Sequence, residues 1–152
     1  MDSIIELART LGPYAICGEG NVSVKDDDCF WVKASGTSLD TLEKKDLVAC
    51  KMSGVPFDSL GLKPSIETSF HAWLQREFDA IKFVAHTHPP KTMQVVCSEQ
   101  IHSFAEHRLF PDQVVRNGAK SCVVPYAMPG KPLLEEIKKS VLAFIEVEEY
   151  FP

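Results

Sequence analysis

At 152 residues, 45% hydrophobic and 24% charged, the chain has the length of one ordinary globular domain, which buries roughly 70% of its unfolded surface. A formal charge of -5 and a pI near 5.5 exclude a broad nucleic-acid surface, which needs clustered lysine and arginine; an anionic ligand must be held locally. No window approaches the ~20 apolar residues of a membrane span, and Met1-Asp2-Ser3-Ile4-Ile5-Glu6 carries acids where a signal peptide carries basic residues.

The first element is a helix. Ile4, Ile5, Leu7, Ala8 and Leu11 form an apolar stripe at helical spacing, and Gly12-Pro13 terminates it. Asn21 to Lys25 and Cys29 to Ala34 then read as two strands of a hairpin, with Asp26-Asp27-Asp28 as a solvated turn. A calcium loop is the weaker reading of these aspartates, because the further oxygen ligands are missing. Leu47 to Cys50 is a third short strand, and Gly54 to Pro64 a surface loop. Ser65 can cap a helix running to about Phe78, with Glu67 in its first turn. A strand over 81–86 follows, then a helix near Thr92 to Val96, a strand over Ser121 to Val124, and a last helix from about Leu133 to Ile145. Alternating helices and strands predict an α/β layered domain, and the early hairpin excludes a purely parallel sheet. Five cysteines with no CxxC pair suggest neither a disulfide framework nor a zinc knuckle, and predict reduced, mostly buried thiols in a cytoplasmic protein.

Four segments carry chemistry. Alternation along the strand that ends in His86-Thr87-His88 puts both imidazoles on one face, and Pro89-Pro90 stops the strand there. Two nitrogens can then serve one metal ion, although two ligands alone do not make a site. Gly18-Glu19-Gly20-Asn21 permits close backbone approach to a ligand and lets Asn21 present its amide. Ala34-Ser35-Gly36-Thr37-Ser38 has the composition of a phosphate-binding nest, and equally of a hydroxyl-rich turn. Ser65 and Glu67 sit at a helix N-terminus, where the macrodipole favours anions; Glu67 there is either a base or a residue complementing the dipole. His71 shares its helix face and reads as a packing or orienting residue.

In this order, Gly20-Asn21-Val22-Ser23-Val24, Lys33-Ala34-Ser35-Gly36-Thr37, Pro64-Ser65-Ile66-Glu67 with His71, and His86-Thr87-His88-Pro89 resemble the class II aldolase/adducin family, from about residue 7 onward. That family includes sugar-phosphate aldolases, ribulose-phosphate 4-epimerase, a dehydratase, decarboxylases and the non-enzymatic head domain of adducin. The resemblance implies a single three-layer α/β/α domain over residues 1–152 with a central mixed, largely antiparallel sheet. It implies that Asn21, Ser35, Gly36 and Ser65 hold a substrate phosphate, that Glu67 is the general base, and that His86 and His88 are two of three zinc ligands. The zinc would act as a Lewis acid on a ketose phosphate and stabilise an enediolate, while Glu67 shuttles the proton. It also implies a small phosphorylated sugar as partner and a fourfold-symmetric homotetramer.

Departures from the family pattern are as informative. The resemblance places the third histidine in an Asn-His-Gly-like motif on a strand beyond the last helix, so the C-terminal part of the domain is expected to be lacking here. His102 and His107 lie in an unmatched segment and read as exposed helix or loop residues. Ile66 stands where the fuculose-phosphate aldolase pattern has a second serine, and the proton-donating tyrosine of that pattern has no clear counterpart; Tyr126 after Pro125 closes a turn or faces a substrate. The expectation is a zinc-dependent aldolase or epimerase; the alternative is a catalytically silent, adducin-like or truncated domain.

Overall fold

A computed structural model describes residues 1–57 and 61–152. The chain forms two compact units, Met1–Pro90 and Lys91–Pro152. In the first, the N-terminal apolar stripe forms helix α1 (Asp2–Leu11), which buries Ile4 and Ala8. A short 3-10 turn with Pro13 at its start follows, a position where the absent proline N–H leaves no bond unmade. Four strands come next in the sequence, β1 (Asn21–Asp26), β2 (Cys29–Lys33), β3 (Leu47–Lys51) and β4 (Phe83–His86), in the spatial order β3-β2-β1-β4.

Every pairing in this sheet is antiparallel. The mixed sheet expected from the sequence is therefore not found among the described strands: β4 follows a helix, yet runs against β1 rather than alongside it. Its strand begins at Phe83, two residues later than the expected 81.

Period-two alternation divides the sheet chemically. Val22 and Val24 face one side and pack with Ile4, Ala8, Leu39, Leu42 and Leu47. On the other side Phe30, Val32, Ala34, Val48 and Cys50 pack with Ala72 of α2 (Thr68–Glu77). Phe30 is fully buried, so Phe30→Ala would cost about 3–5 kcal/mol. Asn21 and Ser23 share this second face, which carries polar chemistry at one end of the sheet and apolar packing at the other.

Helix α2 starts at Thr68 with Glu67 in the capping position, two residues beyond the Ser65 cap expected from the sequence. Ser65 still serves the turn: its Oγ accepts the Glu67 N–H at 3.3 Å and its carbonyl accepts the Thr68 N–H at 3.1 Å. Of the expected loop over 54–64, residues 58–60 lie outside the described residues. Its two ends are tied down by isolated bridges, Cys50 to Pro56 and Ala34 to Pro64.

The second unit is helical, beginning within α3 (Pro90–Val96) and continuing through α4 (Ile101–Glu106), α5 (Pro111–Asn117) and α6 (Lys131–Glu148). Its buried apolar residues are Ala105 and Val141, and Phe144 meets Tyr150 edge to face at 5.4 Å. The strand expected over 121–124 does not form; its short apolar run, Cys122 to Val124, pairs with no strand, and Ser121 instead bonds Arg108 and the Ala105 carbonyl. Helices α4 and α5 were not foreseen, and they leave His102 and His107 exposed as expected.

With six α-helices and a four-stranded antiparallel sheet among the described residues, the protein is of the α/β type. All five cysteines are free thiols, but only Cys50 is buried while Cys17 and Cys97 are exposed; the expectation of mostly buried thiols fails because those two lie in a loop and just past a short surface helix. No helix among the described residues is long and apolar enough to cross a membrane.

Candidate functional site

The first unit gathers the expected residues at one end of its sheet. Asn21 opens β1 and His86 closes β4, and the two are direct cross-strand partners, so their side chains emerge on the same face. Glu67 reaches this face from the N-terminus of α2. Its Oε2 accepts a hydrogen bond from Asn21 Nδ2 at 2.7 Å and another from His86 Nδ1 at 2.6 Å. Among the described residues Oε1 accepts none, which leaves one carboxylate oxygen for a ligand.

His88 lies just past the strand, where its backbone N–H is held by the Tyr14 carbonyl at 3.0 Å. Its Nδ1 bonds Glu19 Oε2 at 2.6 Å, and its Nε2 stands 2.9 Å from His86 Nε2. Both imidazoles are thus held from behind at Nδ1 by a carboxylate, with their Nε2 atoms converging. Only glycine can precede Asn21 here: Gly20 has φ +82°, and a Cβ would come within 2.6 Å of the His86 carbonyl.

Burial by itself would raise the Glu67 carboxyl. The His86 hydrogen bond and charge, together with the Asn21 amide, outweigh it and hold the group below the usual carboxylate range. Glu67 is therefore ionised at neutral pH. Behind it His71 is fully buried and shares a 2.7 Å hydrogen bond with Ser23 Oγ. Burial pushes its pKa down to about 3, the nearby Glu67 only partly opposing this, so His71 is a neutral packing residue. Asn21 Oδ1 and His71 Nε2 are buried without a hydrogen-bond partner among the described residues.

Two backbone loops complete the site. The Ser35 N–H bonds the Lys63 carbonyl at 2.8 Å and the Ser65 N–H bonds the Lys33 carbonyl at 3.1 Å, which sets Ser35, Gly36 and Ser65 side by side. Gly36 has φ +81° and open space where a Cβ would be, so its backbone can be approached closely. The buried Lys33 ammonium donates to the Ala34 and Thr37 carbonyls and so shapes the loop between them. Burial lowers its pKa, the Asp46 charge partly opposing this. A cavity of about 240 Å³ is lined by Asn21, Ser35, Gly36, Ser65, Glu67, His86 and His88, and also by Glu19, Lys33 and the exposed Ile66.

All seven residues expected from the sequence thus border one cavity, although Asn21 directs its amide to Glu67. Glu19 and Lys33 were not singled out. Glu19 stands between the two glycines already noted, and a carboxylate in a loop beside a histidine pair is the signal that could have found it. Lys33 could have been found as a lone lysine in an otherwise apolar strand.

The convergent pair suits a divalent cation. Imidazole binds zinc at about 2.0–2.1 Å, so two ligands of one ion lie roughly 3 Å apart or slightly more, and a carboxylate on the rear nitrogen leaves the other nitrogen free to ligate. Among the described residues no third histidine, cysteine, aspartate or glutamate joins the pair as a ligand group. His86 and His88 can supply two positions of a metal site, the remainder coming from water, substrate or other groups.

Comparison with known proteins places this architecture. The sequence profile of the class II aldolase and adducin N-terminal domain matches residues 4–148, and the chain belongs to that family. It is 30% identical over 124 residues to 3-oxo-tetronate 4-phosphate decarboxylase of Haemophilus influenzae, covering 81% of this chain and 58% of that protein. It is 31% identical over 90 residues to L-fuculose phosphate aldolase of Methanococcus maripaludis, covering 58% of this chain and 48% of the aldolase. The crystal structure of YgbL from Escherichia coli superposes with a TM-score of 0.78 at 25% identity, over 91% of this chain and 68% of YgbL. The chain spans about half the length of these two curated relatives.

Proposed function

We propose that the chain carries the base, anion-binding and partial metal-binding groups of a sugar-phosphate lyase-type enzyme, one that cleaves or epimerises a phosphorylated ketose. The observation that carries this reading is the convergence of His86 Nε2 and His88 Nε2 in the cavity that the ionised Glu67, Ser35, Gly36 and Ser65 also line. The aldolase and the decarboxylase among its relatives act on phosphorylated substrates, and the family's structural likeness favours a three-layer α/β/α arrangement. In this reading residues 1–152 belong to one such domain, cytoplasmic and acting within a homotetramer.

The residues divide the work. The open backbone at Gly36 and the hydroxyls of Ser35 and Ser65 bind the phosphate, aided by the adjoining helix N-terminus. Lys33 holds their loop in shape and adds positive charge. His86 and His88 would hold a divalent ion, which when bound supplies Lewis-acid polarisation of the substrate carbonyl and neighbouring hydroxyl. Glu67, fixed at Oε2 by Asn21 and His86, takes and returns the substrate proton at Oε1. Asn21, given the bonds it makes, serves the base before it serves the phosphate.

The deciding experiment incubates the protein with zinc and a panel of ketose phosphates in deuterium oxide, following carbon–carbon cleavage and solvent exchange at the carbon next to the carbonyl. Glu67-dependent exchange with any of them supports the reading. Phosphate-ligand binding without exchange or cleavage, with zinc present, would favour the silent, adducin-like alternative.

A further inference from the structure

Glu19 is drawn into the site by an unusual stretch of backbone. It is extended, with φ -67° and ψ 166°, between Gly18 at φ +77° and Gly20 at φ +82°. Its N–H is tied to the Ile16 carbonyl at 2.9 Å, and Gly20 lies against the backbone of His86 and Thr87. A side chain mounted this way starts from a fixed point. Glu19 then accepts the Nδ1 hydrogen of His88 at 2.6 Å, the same length as the bond between Glu67 and His86.

We infer that Glu19 is a positioning residue for His88: its carboxylate keeps the proton on Nδ1 and aims Nε2 at the point where it meets His86 Nε2. The inference rests on the metal-site reading above and adds a residue to it. An incidental surface ion pair would leave the imidazole free to rotate or to change tautomer, and would leave metal affinity unaffected. Here both imidazoles have a carboxylate on the nitrogen that faces away from the partner ring, and a ligand oriented in this manner typically loses 10–100-fold in metal affinity when its outer partner is removed. Among the described residues the Glu19 carboxylate bonds His88 Nδ1 and makes no hydrogen bond to the proposed phosphate loop, so its effect is exerted through His88.

The test compares wild type with Glu19→Ala and Glu19→Gln by zinc calorimetry, by cobalt spectroscopy and by side-chain nitrogen NMR of His88 without metal. The expected result is a 10–100-fold loss of zinc affinity in Glu19→Ala, a smaller loss in Glu19→Gln, whose amide oxygen still accepts, and loss of the protected His88 Nδ1 proton in Glu19→Ala alone. Thermal unfolding of the metal-free proteins should coincide, since Glu19 is more than half exposed. Equal zinc affinity and an unchanged Nδ1 signal in Glu19→Ala would overturn the positioning role while leaving the metal site standing. A wild type that binds neither zinc nor cobalt would overturn both.

Discussion

Asn21 and His86 face each other across the β1–β4 ladder and direct their nitrogens to the same oxygen of Glu67. The register of two strands thus sets the charge state of a residue on a helix. A slip of one residue in either strand would send that strand's side chain, Asn21 or His86, to the opposite face, where α1 and the aliphatic core lie. Glu67 would then lose one of its two donors, and burial would raise its pKa with less to oppose it. Strand register and candidate chemistry are one constraint in this molecule.

Asn21 should consequently behave as a support of Glu67. Asn21→Ala removes a donor from a largely buried carboxylate and should cost about 1–3 kcal/mol of stability. Asn21→Asp sets a second carboxylate at the position 2.7 Å away and should cost more, because like charges at this range oppose ionisation of both. Urea unfolding at pH 7 measures the order; an aspartate variant as stable as wild type would contradict it.

Glu67→Gln keeps the shape of the side chain and removes its proton affinity. In the proposed reaction this should lower turnover, or solvent exchange into a ketose phosphate, by about 10²–10⁴-fold. Affinity for a phosphate ligand, read by calorimetry, should change little, since Ser35, Gly36 and Ser65 are untouched. Unchanged turnover would remove Glu67 from the chemistry.

Much of this site was legible in the sequence because its parts are local. A histidine pair stopped by prolines, glycines before Asn21, and Ser65 with Glu67 ahead of a helix each reflect constraints within a few residues. What was not legible depends on contacts between segments distant in sequence. Glu19 and His88 are 69 residues apart, and Asn21 and Glu67 are 46 apart, so neither bond leaves a local pattern. The strand expected over 121–124 failed for a related reason: a short β-branched, apolar run makes a segment able to be a strand, but a ladder needs a neighbour.

Lys33 gives a prediction about the loop rather than the chemistry. Its ammonium, buried with the strand, joins the Ala34 and Thr37 carbonyls and so ties together the ends of the Ser35-Gly36 turn. Lys33→Met retains the apolar stem and removes these bonds. Hydrogen exchange of the backbone amides over residues 35–38 should quicken by at least tenfold, and phosphate affinity should fall with it, while exchange in β1 stays at its wild-type rate. Unchanged protection of the turn would show that the hairpin and the Ala34 to Pro64 bridge suffice to hold it.

His71 should make stability depend on pH, with a definite sign. Burial depresses its pKa to about 3 in the folded protein, against about 6.5 in an unfolded chain. Between these values the unfolded state binds one proton more than the folded state, so stability from this group rises with pH. It is fully present above about pH 6.5 and is lost as pH falls toward 3, by about 1.4 kcal/mol for each pH unit. Urea unfolding at pH 7 and pH 5 should therefore show a loss of about 2 kcal/mol from His71 alone. His71→Gln, which cannot take up the proton, starts from a lower stability at pH 7 because the 2.7 Å bond to Ser23 is altered, but its decline between the two pH values should be smaller by that amount. Parallel declines would mean that His71 gains its proton without unfolding, and that the space around its unpartnered Nε2 admits water.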